Sequence, residues 1–476
     1  MDDLDLAAIG NCTIAALIDR QATIAWMCFP RFDGDPLFSA LLDGGVEPAA
    51  RGGRFAVEML DCVEIRQAYL DNTSVLVTTF VDKSGAVAEL TDFAPRFRRL
   101  ERIYRPPTIV RRLLPIAGRP RMRIRLRPTF DWGAGRAQIT LGSNHMRFVG
   151  SSQTVRATTD VPICYLAEER HFVLDRPMSI VLGADEPYGA EIETATREQL
   201  DKTVAYWRDW VHSLSIPFDW QEAVIRAAIT LKLCSFEETG AIVAALTTSV
   251  PEAPGTERNW DYRYCWVRDA YFVIHALNRL GATRTMEQYM RFIGNVVDDW
   301  GRDGDLPPLY TITRSGALDE TVATTLTGYR GMGPVRVGNA AHTQIQNDTY
   351  GAIILASTQL FFDRRLPRPS GPALFERLEA LGRRALAVFD QPDAGPWELR
   401  SIASVHTFSA AMCWAACDRL ARIAREIGLN ERSAYWAERA ARLHETISAR
   451  AFNPRLGHFV STLDGDDLDA TLLLLN

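Results

Sequence analysis

The apolar period of this chain changes near residue 200, and that change constrains the fold more than any other feature. Before it, short runs rich in branched residues alternate with turns. Residues 74–81 (Ser-Val-Leu-Val-Thr-Thr-Phe-Val) lead through Asp82-Lys-Ser-Gly85 into Ala86-Val-Ala-Glu-Leu-Thr91, which reads as a hairpin. Similar runs at 108–115, 121–126, 146–149, 154–158 and 172–182 are separated by Gly118-Arg-Pro120, Asp131-Trp-Gly133 and Gly150-Ser-Ser152. Many short strands with turns between them predict an antiparallel β-sandwich.

After a helical segment at about 196–213, the period becomes that of a helix. Met286, Tyr289, Met290, Ile293 and Val297 share one face, and Trp436, Ala440, Leu443 and Ile447 form another stripe. Helices are expected at 220–236, 269–280, 284–299, 343–361, 372–389, 407–427 and 431–451, with a further one starting near Asp467. Two long strand-poor loops, 239–268 and 301–341, are candidates for function, because loops that long in a compact domain seldom serve connection alone. Paired helices joined by alternately short and long loops predict an α/α toroid with the long loops gathered at one end. The expected domains are a β-sandwich over 1–195, a linker helix over 196–218 and a catalytic α/α barrel over 219–476.

A net charge of -6 argues against a nucleic-acid partner, since such binding depends on basic groups that neutralise phosphates. No run of about 18 apolar residues is present to cross a membrane. The opening Met1-Asp2-Asp3-Leu4-Asp5 is acidic and lacks a secretory pattern, so a cytoplasmic location is expected. The cysteines at 12, 28, 62, 164, 234, 265, 413 and 417 are dispersed and read as small buried thiols of a reduced protein. No histidines stand at ligand spacing, so neither a metal nor a cofactor is expected.

Three segments carry chemistry. Arg258-Asn-Trp-Asp-Tyr-Arg-Tyr-Cys-Trp-Val-Arg-Asp-Ala270 packs aromatic platforms suited to sugar rings against an Arg-Asp pair that can bracket vicinal hydroxyls. The plainer alternative makes Asp269 the N-cap of the helix through Leu280. Pro392-Asp-Ala-Gly-Pro-Trp-Glu-Leu-Arg400 sets a Glu beside a Trp in a Gly/Pro turn, which fits a carboxylic acid kept protonated by apolar surroundings. Its alternative is a surface turn in which Glu398 pairs with Arg400. The third, 326–340, is glycine-rich without phosphate-loop spacing. Its backbone could approach a ligand, with Tyr329, Arg336 and Asn339 in reach.

Together these segments resemble the bacterial glucoamylase-like members of glycoside hydrolase family 15, a family that also includes trehalases. Residues 9–19, 26–33, His406-Thr-Phe-Ser409, Met412-Cys-Trp414 and Leu468-Asp-Ala470 fit the same order. The resemblance implies a β-sandwich followed by an α/α six-hairpin barrel, and an inverting hydrolase of α-glucosidic bonds. By the same resemblance Glu398 is the general acid, and Arg268 and Asp269 grip the non-reducing glucose. Tyr262, Trp266 and Trp397 are aromatics of the pocket, and Arg336 and Asn339 match the glycine-rich loop more loosely. The sequence departs from the family just after the acid, where Arg400-Ser-Ile-Ala-Ser404 replaces an Arg-Gly.

Inversion needs a second carboxylate, roughly 6.5–9.5 Å from the first, to activate water. The resemblance places that base in a Glu beyond the Leu468-Asp-Ala470 helix. The candidate helices also fall short of the six hairpins that close such a barrel. The sequence is therefore expected to be an incomplete copy. At about 25 cal/mol per Å² of apolar surface left wet, an open barrel would lose much of a domain's marginal stability, so poor folding and little hydrolysis are expected if residue 476 is the true end. Two other readings compete: a carbohydrate-binding pseudoenzyme, and an inverting phosphorylase in which phosphate replaces the activated water.

Overall fold

Strand-forming sequence in the first half assembles into two antiparallel sheets in a computed structural model that describes residues 4–43, 52–300, 304–366 and 371–475. The first sheet runs Ala7–Gly10, Ala15–Ile18, Thr23–Cys28, Arg54–Met59, Arg121–Arg127, Phe172–Val173, with Pro36–Phe38 beside Thr23–Cys28. The second runs Gln138–Leu141, His145–Val149, Thr154–Thr159, Met178–Ala184, Ile109–Ala117, Val87–Phe93, Leu76–Asp82, Cys62–Tyr69. The inward residues of both, among them Ile24, Phe55, Ile124, Phe80, Leu90 and Ile180, share one apolar core. That is the expected sandwich.

The run expected at 172–182 is split in two. Pro177 has no N–H to donate to a ladder, and Asp160 instead accepts from the Ser179 N–H at 2.7 Å, restarting the strand from Met178. Across the sandwich, Arg111 pairs with Asp92 at 2.8 Å. It also donates to the Phe55 carbonyl and the Ala22 carbonyl, each at 2.6 Å, tying the second sheet to the first through a fully buried guanidinium.

The helices are α1 (Ile163–Ala167), α2 (Ile192–His212), α3 (Gln221–Leu233), α4 (Val267–Arg279), α5 (Thr283–Asp299), α6 (Asp348–Phe362), α7 (Pro372–Val388), α8 (Thr407–Glu426) and α9 (Asn430–Ala451). The helix expected at 343–361 starts late. Asn339 instead caps a 3-10 turn over Ala340–Thr343, and Gln344 is extended. The helix expected near Asp467 is a 3-10 turn, Ala470–Leu475.

Contacts divide the chain into two units that interleave in sequence. One holds residues 1–238 with 245–263 and 320–338, and the other holds 239–244, 264–319 and 339–476. The expected boundaries at 195 and 218 are therefore not where these units part. The expected linker helix, as α2, packs with α3 within the first unit through Trp207, Val211, Ile229 and Leu233. Parts of both long loops also join that unit. Leu326, Tyr329 and Val335 pack with Trp26 and Leu42, and the Leu246 carbonyl accepts the Trp26 indole N–H at 2.7 Å.

In the second unit, α4, α6 and α8 pack side by side, with α6 in the middle, and each lies against the helix that follows it, α5, α7 or α9. This is the inner-and-outer pairing of an α/α toroid. Ala352, Ile353, Ile354 and Ala356 are buried along α6, as an inner helix requires. At Gly351 a Cβ would stand 2.4 Å from the Met412 carbonyl oxygen, so glycine permits the close approach of α6 to α8.

Candidate active site

The starts of α4 and α6 and the loop ahead of α8 bring polar and charged side chains together in the second unit. Trp266 and Cys265 form a short strand paired with Leu309–Tyr310, and α4 follows directly. Trp266, not Asp269, is the N-cap residue of α4. Asp269 lies in the first turn, where the helix dipole favours an anion. Arg268 is nearly buried and Asp269 half-exposed. Asp348 opens α6 and is fully buried.

Glu398 hangs from the loop between α7 and α8. Its backbone is left-handed, at φ 55°, a conformation a non-glycine residue keeps only where its surroundings hold it. The holding group is Asp393, which is buried. Its Oδ1 lies 2.8 Å from His406 Nδ1, and its Oδ2 accepts from the Ser409 hydroxyl at 2.7 Å and the Asn347 N–H at 2.9 Å. The Asp393 and Ser404 backbones also bond each other in both directions, closing the loop where the sequence departs from the family pattern. Gly395, at φ 68°, lets the chain pass over the His406 ring, where a Cβ would stand 2.6 Å away.

The loop so held brings Glu398 Oε1 under three donors: Trp266 Nε1 at 2.5 Å, Gln346 Nε2 at 3.1 Å and Arg268 Nη2 at 3.3 Å. Oε2 accepts none of these. The carboxyl surroundings are thus polar on one side rather than apolar throughout, because the first residues of α4 and the stretch before α6 converge on it. Arg268 reaches further, with Nη1 2.7 Å from Gln346 Oε1 and 3.5 Å from Asp348 Oδ2, and Nε 3.6 Å from Asp269 Oδ2. Burial works against the guanidinium charge, but Asp348, Asp269 and Glu398 outweigh it and keep Arg268 protonated. Burial pushes Asp348 up to about 6, with Arg268 opposing.

Four of the residues marked in the sequence therefore meet: Trp266, Arg268, Asp269 and Glu398. Trp397 is half-exposed and donates to Asp469 Oδ2 at 2.6 Å. Asn339 is buried, with its side chain accepting from the Ala341 N–H at 2.9 Å. Tyr262 and Arg336 belong to the first unit, where they bond Glu252 and Glu320, each at 2.7 Å. In the glycine-rich loop, Tyr329 is spent on an apolar cluster, and a Cβ at Gly328 would stand 2.6 Å from the Met332 carbonyl oxygen. That glycine thus serves the loop's own packing.

Gln346, Asp348 and Asp393 were not foreseen. His406 and Ser409 were noted only as part of a motif. The available signal was the polar run Gln344-Ile-Gln-Asn-Asp348 at the head of an otherwise apolar helix. Five cysteines are buried as expected, while Cys62 and Cys234 are half-buried and Cys164 is exposed. Among the described residues no group of His, Cys, Asp and Glu could hold a metal ion, and no helix is long and apolar enough to cross a membrane.

Residues 219–476 match the model of glycosyl hydrolases family 15, and residues 5–160 match a trehalase-like N-terminal domain. The chain belongs to glycosyl hydrolases family 15. It is a glycoside hydrolase by that membership. The trehalase of Thermoplasma volcanium is 30% identical, over 98% of this chain and 74% of that protein. The trehalase of Mycolicibacterium smegmatis is likewise 30% identical, over 99% of this chain and 73% of the relative. A bacterial glucoamylase solved with acarbose matches 98% of this chain and 72% of its own, with a TM-score of 0.66 at 13% identity, which is a likeness of fold.

Proposed function

We propose that this family 15 member hydrolyses α-glucosidic bonds with inversion, with trehalose the first substrate to test and Glu398 the general acid. The observation that carries the reading is the clamp on Glu398. Three N–H donors converge on Oε1, which fixes the carboxyl plane and leaves Oε2 for the proton that goes to the glycosidic oxygen. Water then attacks the anomeric carbon from the opposite face with help from a second carboxylate. Asp269, half-exposed beside Arg268, is suited to accept from sugar hydroxyls. The trehalase names of the relatives support trehalose over longer glucans.

The test is glucose release from trehalose and maltose by the wild type and by Glu398→Gln. A general acid contributes about 10²–10⁴ in rate, so the Gln variant should lose at least about a hundredfold while still binding sugar. Unchanged turnover in Glu398→Gln contradicts the reading. A folded wild type that binds sugar in calorimetry without releasing glucose would make the protein a binding pseudoenzyme, and phosphate-dependent release of a sugar phosphate would make it a phosphorylase. Turnover by residues 1–476 would also overturn the expectation that the base is missing from them.

A further inference from the structure

Asp348 is the one carboxylate at the Arg268 fork that is fully buried, and its geometry is unlike that of a structural ion pair. Its Oδ1 has no hydrogen-bond partner, and its Oδ2 meets Arg268 Nη1 only at 3.5 Å. A buried carboxylate kept for stability would have its lone pairs filled, because leaving one unmet costs free energy. Among the described side chains, its partner is Arg268, and the same guanidinium holds Glu398 through Nη2. One cation is thus divided among Asp348, Glu398 and Asp269.

We propose that Asp348 is a positioning residue for Glu398 that acts through Arg268: ionised, it draws the guanidinium toward α6, and neutral, it leaves that charge to Glu398. This rests on the reading of Glu398 as the acid. The charged and titratable groups facing Asp348 are Arg268 from α4, Asp393 from the loop ahead of α8, and the buried Cys413 thiol on α8. Asp393 is tied to His406 and Ser409, and burial raises Cys413 well above the usual thiol range. Burial places the change of charge on Asp348 near pH 6.

The Trp266 indole is a built-in reporter, since its N–H bonds Glu398 Oε1. The full chain, labelled with ¹⁵N-tryptophan, is titrated by NMR, with Trp266→Phe assigning the resonance. In the wild type, the indole signal is expected to move in a step near pH 6 that Asp348→Asn abolishes. Arg268→Lys keeps a cation but not the fork, and should also remove the step near pH 6. It decides the matter if Asp348→Asn does not fold. Persistence of that step in a folded Asp348→Asn, or in Arg268→Lys, overturns the proposal, as does its absence from the wild type. In turnover, Asp348→Asn should change kcat severalfold with KM little moved. Glucose release by Glu398→Gln tests the acid assignment separately, so either can fail without the other being mistaken for it.

Discussion

Trp266 Nε1 donates to Glu398 Oε1 across 2.5 Å, joining the strand that leads into α4 to the loop that leads into α8. These residues are 132 apart in sequence, and the bond forms only when α4 and α8 take neighbouring places around α6. Under the proposed role of Glu398 as general acid, this bond orients the proton donor rather than holding the sugar. Trp266→Phe keeps the ring and removes the donor. A lost hydrogen bond of about 1–1.5 kcal/mol corresponds to about a tenfold fall in kcat, with KM changed far less. Steady-state kinetics on trehalose checks this.

The loop that carries Glu398 depends on Asp393 in the same way. Asparagine keeps one acceptor oxygen there; held at the Oδ2 position for Ser409 Oγ and the Asn347 N–H, it turns its N–H₂ toward His406 Nδ1, the partner of Oδ1. A buried donor left unsatisfied costs about 1–3 kcal/mol. Asp393→Asn should therefore lower the thermal midpoint by several degrees and reduce kcat as well, because Glu398 loses its support. Differential scanning calorimetry beside a turnover assay reads both effects.

Much of this was legible in the sequence, and what was not has a physical reason. The stripe Trp436, Ala440, Leu443, Ile447 is buried along α9, because period 3.6 leaves a helix only one apolar face. The hairpin around Asp82-Lys-Ser-Gly85 pairs Leu76–Asp82 with Val87–Phe93. Arg54–Met59 is absent from the runs expected as strands although it alternates, with Phe55, Val57 and Met59 entering the core while Arg54 and Glu58 stay half-buried on the other face. That Glu398, Arg268 and Trp266 meet could be expected because each sits in a distinctive motif. Gln346 and Asp348 were hidden, since nothing local shows that the head of α6 faces Arg268, some 80 positions earlier. The polar clamp on Glu398 escaped for the same reason.

The core of the sandwich gives a third expectation. Arg111→Met leaves Asp92 fully buried without its cation. Breaking one side of a buried pair costs about 3–5 kcal/mol. Replacing both residues, as in Arg111→Met with Asp92→Leu, should restore much of that loss. Urea unfolding of the single and double variants measures the difference.

Stability should also carry the signature of Asp348. Its folded value, about 6, lies above the ordinary 3.8, so the folded state holds this proton more tightly than the unfolded chain does. Its contribution is whole below about pH 4 and is lost as pH rises through about 6. A shift of that size corresponds to about 3 kcal/mol. Asp348→Asn should lack this share, so the wild type should lose stability relative to the variant between about pH 4 and 6. Urea midpoints taken across that range test the sign as well as the size.

The most direct measurement of the central claim is the anomeric form of the first glucose released from trehalose, followed by proton NMR before mutarotation. Inversion at one anomeric carbon yields β-glucose, and the departing sugar keeps its own bond and leaves as α-glucose. Equal amounts of the two are expected from the wild type, and at least about a hundredfold less of both from Glu398→Gln. Release of α-glucose alone, or unchanged release by Glu398→Gln, would contradict it.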